Sequence, residues 1–157
     1  MKTRNITITA VMLMAAFFIN LQGAFAQEEK VNDVYDDGTV WNVTYVRTHA
    51  NMDGQYLLGL SKTWASAMEK YQDAGLIVSY KILAGEASND DDFNMMLMIE
   101  FKNFATYDPN PEREAKFDKI EKELETDLGE QYQEILKNYP DIREILGSKT
   151  FREKKLK

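Results

Sequence analysis

The first regular pattern along the chain is an alternation of apolar and polar positions from Val40 to Thr48. Its sequence, VWNVTYVRT, is rich in β-branched and aromatic residues, which predicts a first strand. Between Asp53 and Gly75 the apolar positions recur in steps of three and four, which predicts a helix with one apolar side. We expect Asp53 to cap the start of this helix and Gly75 to end it in a left-handed conformation.

Two further strands are predicted after this helix, at Leu76–Ala84 and Phe93–Lys102. The segment between them, residues 85–92, is polar and rich in aspartate, which predicts a hairpin loop. In the third strand one side is wholly apolar and the other side is half apolar. We expect the wholly apolar side, which begins at Phe93, to lie beneath the helices.

A second, longer helix is predicted from Pro111, because proline suits the first turn and apolar residues continue at helical spacing to Leu136. Gly129 predicts a kink or a break in this helix, and Pro140 predicts its end. The remaining predicted elements are a short helical turn at 141–146 and a last strand at 149–153.

The predicted order is strand, helix, strand, strand, helix, strand. With right-handed crossovers this order closes as an α+β fold, a four-stranded antiparallel sheet with both helices on one face. Two helices cannot cover both sides of a sheet whose strands carry apolar residues on both sides. The acidic leader and the 103–111 loop are too polar to cover the second side well, so we expect a homodimer.

The N-terminal segment, residues 1–26, has the order of features of a secretory signal peptide. Lys2 and Arg4 precede an apolar run that ends at an Ala-Phe-Ala cleavage pattern. The run is shorter than the about 20 apolar residues that a membrane-spanning helix needs. We therefore expect cleavage near Ala26, a secreted or periplasmic location, and no membrane span in the mature chain. Residues 27–39 are then a flexible acidic leader, and residues 40–157 form a single domain.

Charge and cysteine content narrow the possible functions. Loss of the two N-terminal cations takes the formal net charge from −7 to −9. Such an acidic surface repels nucleic-acid phosphates, so no nucleic-acid partner is expected. The sequence has no cysteine and one histidine, which removes disulfides and the usual zinc, iron–sulfur and thiol chemistry. Three aspartates at 90–92 lack the ligand spacing of a calcium loop, so no metal site is predicted.

Several segments together resemble the dimeric α+β barrel superfamily. They are the VWNVTYVRT strand, the helix ending DAGLI, the strands IVSYKIL and FNMMLMIEF, the FDKIEKEL helix and the closing KTFREK strand. The resemblance covers nearly all of the mature chain and lies in pattern and topology, without a catalytic motif. It implies a ferredoxin-like βαββαβ domain whose sheet pairs with that of a second copy. Members include antibiotic-biosynthesis monooxygenases, stress-responsive barrel proteins and exported proteins of unassigned activity.

The candidate catalytic residues centre on His49, which follows the first strand directly, where loops often carry site residues. One imidazole can act as a general base or as an axial haem ligand. A catalytic set would consist of His49 with Arg47 or Tyr80 orienting an enolate-like substrate. The alternative is that His49 is an ordinary surface residue.

The candidate ligand-binding residues are aromatic residues and methionines of the strands. Methionine and tyrosine surfaces adapt to flat organic ligands, and two paired sheets can enclose a pocket. The residues expected to bind such a ligand are Trp41, Tyr45, Tyr80, Met96 and Met98. The alternative is that they belong to an ordinary core.

Three functions remain open from the sequence. The first is an exported homodimer that binds a small hydrophobic or aromatic ligand between its two sheets. The second is a cofactor-free or haem-using oxygenase or isomerase acting in the barrel lumen, and the third is an envelope protein-interaction module. The sequence slightly disfavours an enzyme, because it offers one good acid–base residue and export removes access to cytoplasmic nicotinamide and flavin pools. The identity of any cofactor or ligand stays open.

Overall fold

The computed structural model describes residues 34–157, and the predicted signal segment lies outside the described residues. A short 3-10 helix at Phe104–Tyr107 separates the two halves of the fold. Within the described part of the chain, no helix is both long and apolar enough to cross a membrane. The elements are, in order, β1 (Tyr35–Thr48), α1 (Asp53–Lys62), α2 (Trp64–Asp73), β2 (Ser79–Ala84), β3 (Met95–Phe101), α3 (Pro111–Leu128), α4 (Glu130–Ile142) and β4 (Arg143–Leu156).

The four strands form one sheet in the order β2-β3-β1-β4. Strand β3 pairs antiparallel with both β1 and β2. Side-chain hydrogen bonds join Thr44 to Ser148 (2.8 Å) and Asn42 to Thr150 (3.5 Å), so β4 also runs antiparallel to β1. The α+β class and the four-stranded antiparallel sheet are thereby confirmed, and the strand order is that of a ferredoxin-like domain.

Contacts divide the chain into two compact units. One unit, Thr39–Glu153, contains helices α1 to α4. In the other unit the described residues are 34–38 and 154–157. The contacts within that smaller unit include a hydrogen bond from the Lys157 amide to the Val34 carbonyl (2.9 Å) and the ion pairs Lys157–Asp36 (3.0 Å) and Lys154–Asp37.

Strands β1 and β4 are both longer than predicted. Strand β1 begins at Tyr35, so the end of the predicted acidic leader is strand. Strand β4 begins at Arg143, so the helical turn predicted at 141–146 is wrong. Backbone N–H and C=O groups pair in the same way whatever the side chain, so a polar segment can join a sheet without showing an apolar alternation. The two middle strands are confirmed, each shorter than predicted.

The first predicted helix is divided in two at Thr63, which the sequence did not predict. The Thr63 hydroxyl donates to the Gly59 carbonyl oxygen (2.9 Å) and lies 2.7 Å from the Tyr139 hydroxyl. Thr63 is buried, with 4% of its surface exposed. A buried hydroxyl needs such partners, and they hold α1 against α4 at the break.

The ends of this helix pair agree only in part with the prediction. Met52, and not Asp53, is the N-cap residue of α1, and no side chain caps it. The Asp53 carboxylate instead accepts hydrogen bonds from Asn94 (3.2 Å) and from Thr48, and so joins the helix start to the sheet. Gly75, with φ of 69°, follows α2 in the left-handed conformation that was predicted.

The second predicted helix is also divided in two. Pro111 occupies its first turn as predicted, and the Asn110 side chain accepts a hydrogen bond from the Arg113 amide (2.9 Å). Gly129, with φ of 56°, separates α3 from α4 and confirms the predicted break. Its left-handed conformation is one that residues with a side chain rarely adopt.

Pro140 does not end α4, which continues to Ile142, so that prediction is wrong. A proline inside a helix costs about 3 kcal/mol, because it removes one backbone hydrogen bond and crowds the preceding turn. Burial of the neighbouring side chains offsets this cost, because Tyr139 and Ile142 both lie in the core. Burying one large apolar side chain completely stabilises the fold by about 1.5–3 kcal/mol.

The core lies between the sheet and the helices, in two clusters. The first joins α1 and α4 to β1 and β3, and Tyr56 packs edge-on against Tyr139 at 5.4 Å between ring centres. The second cluster joins α2 and α3 to the sheet around Ile77. Helices α1 and α4 approach closely at Gly59, where a Cβ atom would lie 3.1 Å from Tyr139 Cε1.

We expect Gly59→Val to lower the free energy of unfolding by about 1–3 kcal/mol, because the added side chain has no space between α1 and α4. Gly54→Val is the matched control, since a Cβ at Gly54 meets nothing within 4 Å. Urea unfolding followed by far-UV circular dichroism measures the free energy of unfolding of both variants. Equal stability of the two variants would contradict the close helix contact.

Candidate functional site

The face of the sheet opposite the helices, here called the open sheet face, is set by the strand register. Trp41, Val43 and Tyr45 of β1 pair with alternate residues of β3. Because side chains alternate along a strand, these residues and their partners share one face. The β1 and β3 members of the open sheet face are Trp41, Val43, Tyr45, Arg47, Met96, Met98 and Glu100, and β2 adds Ser79, Lys81 and Leu83.

The centre of the open sheet face is apolar. Tyr45 pairs directly with Met96, and its ring lies 4.8 Å from the ring of Phe93. Phe93 precedes β3, which begins at Met95, so the prediction that Phe93 lies beneath the helices is wrong. With Leu146 of β4 these residues line an open groove of about 570 Å³. Val43 is 4% exposed even though none of the helices between residues 34 and 157 covers it. The centre is therefore a packed apolar surface with a groove at one end.

Charged and hydroxyl side chains surround this apolar centre. The Lys81 ammonium lies 4.7 Å from the centre of the Trp41 ring. The Glu100 carboxylate accepts hydrogen bonds from the hydroxyls of Thr39 (2.7 Å) and Ser79. Near the C-terminal end of β1, Arg47 forms an ion pair with Glu144 at 2.7 Å and also donates a hydrogen bond to the backbone oxygen of Asp90. The open sheet face thus has an apolar centre and a rim that carries both signs of charge.

The structure brings together four of the five predicted ligand-binding residues. Trp41, Tyr45, Met96 and Met98 lie on the open sheet face. The fifth, Tyr80, lies on the other face, because it pairs with Ile99, whose side chain points toward the helices. Its ring packs edge-on against Trp64 at 5.5 Å, and its hydroxyl donates to Glu69 (3.3 Å). Tyr80 is therefore separated from the other four by the sheet.

The predicted catalytic set does not converge. His49 is exposed beyond the end of β1, and its Nδ1 lies 3.0 Å from the carbonyl oxygen of Asp141. Arg47 lies on the open sheet face and Tyr80 on the opposite face. A general base and its orienting groups must reach one substrate. These three side chains are divided between two faces and a strand end, so they do not form such a set.

A second concave surface, here called the helix–sheet crevice, lies on the helix side of the sheet and has a volume of about 350 Å³. Helices α1 to α4 and strands β1, β3 and β4 all contribute to it. Aromatic side chains form much of its lining, and Arg143 adds a positive charge. Its principal lining residues are Tyr56, Trp64, Met68, Tyr132, Tyr139 and Arg143.

Arg143 packs against two of these rings. Its guanidinium carbon lies 5.2 Å from the ring centre of Tyr139 and 5.9 Å from that of Tyr56. Burial raises the pKa of Tyr56, and the positive charge of Arg143 partly offsets that rise. Arg143 was not among the predicted site residues, because a helical turn was predicted at 141–146 and a residue in such a turn is not assigned to either face of the sheet.

A hydroxyl–carboxylate pair lies on the lining as well. The Tyr71 hydroxyl donates to the Glu121 carboxylate at 2.9 Å. Burial raises the pKa of Tyr71 well above its ordinary value, and the hydrogen bond to Glu121 and the charge of Glu121 raise it further. Glu121 itself is exposed at the crevice mouth. Tyr71 therefore stays protonated throughout the physiological range.

In the aspartate-rich loop, residues 85–92, side chains accept hydrogen bonds from the loop backbone. The Asp92 carboxylate accepts hydrogen bonds from the backbone amides of Ser88 (3.0 Å) and Phe93 (2.9 Å), which lower its pKa. Asn89 accepts from the amide of Asp91 (2.9 Å). Across residues 34–157 no group of three or more potential metal ligands comes together.

Comparisons with known proteins identify similar folds but no family. No family model matches the chain, and no curated protein matches it. A dimeric protein of unknown function and ferredoxin-like fold from Bacteroides fragilis is 16% identical, with 74% of this chain and 95% of that chain covered and a TM-score of 0.37. A dimeric ferredoxin-like protein from an uncultured marine organism is 13% identical, with 78% and 90% covered and a TM-score of 0.41. The fold assignment accordingly stands on the strand order and register of this chain.

We expect Tyr71→Phe to reduce the loss of stability at alkaline pH. Below pH 10 the Tyr71 phenol is protonated in both the folded and the unfolded chain, so its contribution to the free energy of unfolding is fully present. As pH rises above 10 the unfolded phenol ionises while the folded one does not, and the free energy of unfolding falls. Urea unfolding of both proteins between pH 8 and pH 11 measures this. If Tyr71→Phe loses stability with rising pH as steeply as the unaltered protein, the raised pKa of Tyr71 is contradicted.

Proposed function

We propose that the protein is an exported, homodimeric binding module that holds a small hydrophobic or aromatic compound between two sheets. The observation that supports this most directly is the apolar centre of the open sheet face, which none of the described helices covers. In this arrangement the open sheet faces of two copies pack against each other, and the groove beside Tyr45 and Met96 forms part of the ligand site.

The composition of the open sheet face supports pairing. Soluble proteins seldom expose a continuous apolar patch without using it for binding. An interface usually has an apolar core with aromatic residues and methionine, and a polar rim. Tyr45 and Met98 lie at the centre of the face, whereas Lys81 and Arg47 lie at its rim.

The charges of the rim suit a second copy of this chain. In a two-fold interface the same surface serves both partners, so each charged group meets the other sheet's rim. Cations and carboxylates both lie at the edge of the face, with Arg47 and Lys81 on one hand and Glu100 and Glu144 on the other. A rim of a single sign would repel its own copy, and a mixed rim avoids that repulsion.

The ligand class follows from the groove. Methionine side chains are flexible and polarisable, so they adapt to ligands of irregular shape. The volume of about 570 Å³ lies within the range of small-molecule sites, which is about 300–1,000 Å³. A second sheet laid over this open groove would exclude water from it. The lining by Tyr45, Phe93, Met96 and Leu146 favours a compound that is mainly apolar.

The proposal of export rests on the N-terminal sequence. A basic start, an apolar run and the Ala-Phe-Ala pattern ending at Ala26 together favour cleavage by a signal peptidase. The absence of cysteine from the sequence means that no disulfide contributes in an oxidising compartment. Stability there would depend on the core and on pairing of the open sheet face.

We expect Met98→Glu to convert the dimer to a monomer. The carboxylate would lie at the centre of the interface, and an unpaired buried charge costs several kcal/mol, which corresponds to at least about a hundredfold weaker association. Leu58→Glu is the matched control, because Leu58 is 60% exposed on α1, on the opposite side of the sheet. Size-exclusion chromatography with light scattering measures the molar mass of each. A dimeric Met98→Glu protein would contradict this interface.

We expect native mass spectrometry of the protein from its host compartment to show a dimer that begins at Gln27 and carries a bound small molecule. The Leu58→Glu protein should retain both the dimer and the bound mass, and Met98→Glu should lose both. A bare monomer of the unaltered chain would overturn the proposal. A dimer without any bound mass would favour a protein-interaction module.

A further inference from the structure

The helix–sheet crevice combines a size, a lining and a charge that suit a small ligand. Its volume of about 350 Å³ is at the lower end of the range for small-molecule sites, which is enough for a compound of two or three rings. Tyr56, Trp64 and Tyr139 give it aromatic walls. Such walls favour a planar apolar body by edge-to-face and stacked contacts.

Arg143 has a hydrogen-bonding group that the described protein does not use. Its Nε is buried, and among the buried side-chain nitrogen and oxygen atoms of residues 34–157 it is the one without a hydrogen-bond partner. A buried donor that lacks a partner costs about 1–3 kcal/mol, and more when it belongs to a charged group. Arg143 as a whole is only partly buried and lines the crevice, so a ligand there would lie beside its guanidinium.

The surroundings of Arg143 leave its charge available to a ligand. Its neighbours are the rings of Tyr56 and Tyr139, and the Tyr56 side chain also forms a hydrogen bond with Arg143. Both neighbours are uncharged phenols, so they hold the guanidinium without neutralising it. The carboxylate that lines the same crevice, Glu121, is exposed and already accepts the Tyr71 hydroxyl. Arg143 is the one lysine or arginine among the residues that line the crevice.

We propose that the helix–sheet crevice binds a small aromatic carboxylate, with Arg143 as the partner of the carboxylate group. The planar fork of a guanidinium matches a carboxylate through two parallel hydrogen bonds, which a lysine cannot reproduce. The ring of the ligand lies among the aromatic walls. All residues of this site belong to one protomer and lie on the opposite side of the sheet from the open sheet face, so the site does not depend on the dimer.

The test compares two fluorescent probes that share an aromatic body and differ in charge. 8-Anilinonaphthalene-1-sulfonate carries an anionic group that stands in for the carboxylate, and N-phenyl-1-naphthylamine carries none. We expect Arg143→Met to raise the dissociation constant of the anionic probe at least tenfold and to change that of the neutral probe less than twofold. Arg143→Lys should restore part of the affinity for the anionic probe, because the charge returns without the fork geometry.

A control separates Arg143 from a general loss of positive charge. Lys122→Met removes a cation from an exposed position on α3, outside the crevice, and should leave both dissociation constants unchanged within twofold. If Arg143→Met weakens both probes equally, or neither, Arg143 only supports the packing of the rings and the proposal is wrong. Thermal unfolding of each variant shows whether it is folded.

A second measurement uses the unaltered protein and so does not depend on the folding of a variant. Competitors of the same size, 1-naphthoate and 1-naphthylmethanol, are titrated against the bound anionic probe. We expect 1-naphthoate to displace the probe at a concentration at least tenfold lower than 1-naphthylmethanol. Equal displacement by the two competitors, or none by either, would overturn the proposal.

Discussion

Val43 pairs with Met98 and Tyr45 pairs with Met96 across the two central strands, and this register decides which side of the sheet each side chain occupies. Side chains alternate along a strand, so a shift by one residue would exchange the two faces completely. The buried residues Val46 and Met95 fix the register, because they face the helices and are 0% and 1% exposed. Everything on the open sheet face follows from that choice.

The helix side depends on a second constraint, the close approach of α1 and α4. Gly59 allows the approach, and the buried hydroxyls of Thr63 and Tyr139 bond across it. The same contact holds the last turn of α4 despite Pro140. Because α4 ends at Ile142, Arg143 begins the last strand beneath the helices. The position of the Arg143 guanidinium, whose Nε has no hydrogen-bond partner, is thus a consequence of helix packing.

The two faces of the sheet offer different chemistry. The open sheet face is apolar at its centre and charged only at its rim, which suits a flat partner such as a second sheet. The helix–sheet crevice is concave and places one cation among aromatic rings, which suits a small anion with a ring. His49 belongs to neither surface, and its Nδ1 contacts a backbone carbonyl oxygen beyond the strand end. The residues predicted as a catalytic set, His49, Arg47 and Tyr80, therefore lie on different surfaces of the protein.

Local patterns in the sequence were enough to predict the α+β class, the order of strands and helices, the helix side of β3 from Met95 onward, and the breaks at Gly75 and Gly129. These features depend on residues close together in the chain, such as alternation in β3 or a glycine with positive φ. The break at Thr63, the continuation through Pro140 and the early start of β4 depend on partners far away in the sequence. Tyr80 lies on the helix side because of its pairing with Ile99, and a single strand with apolar residues on both sides cannot indicate that choice. Arg143 lines the crevice only because four helices and three strands meet around it, and that arrangement is set by tertiary packing.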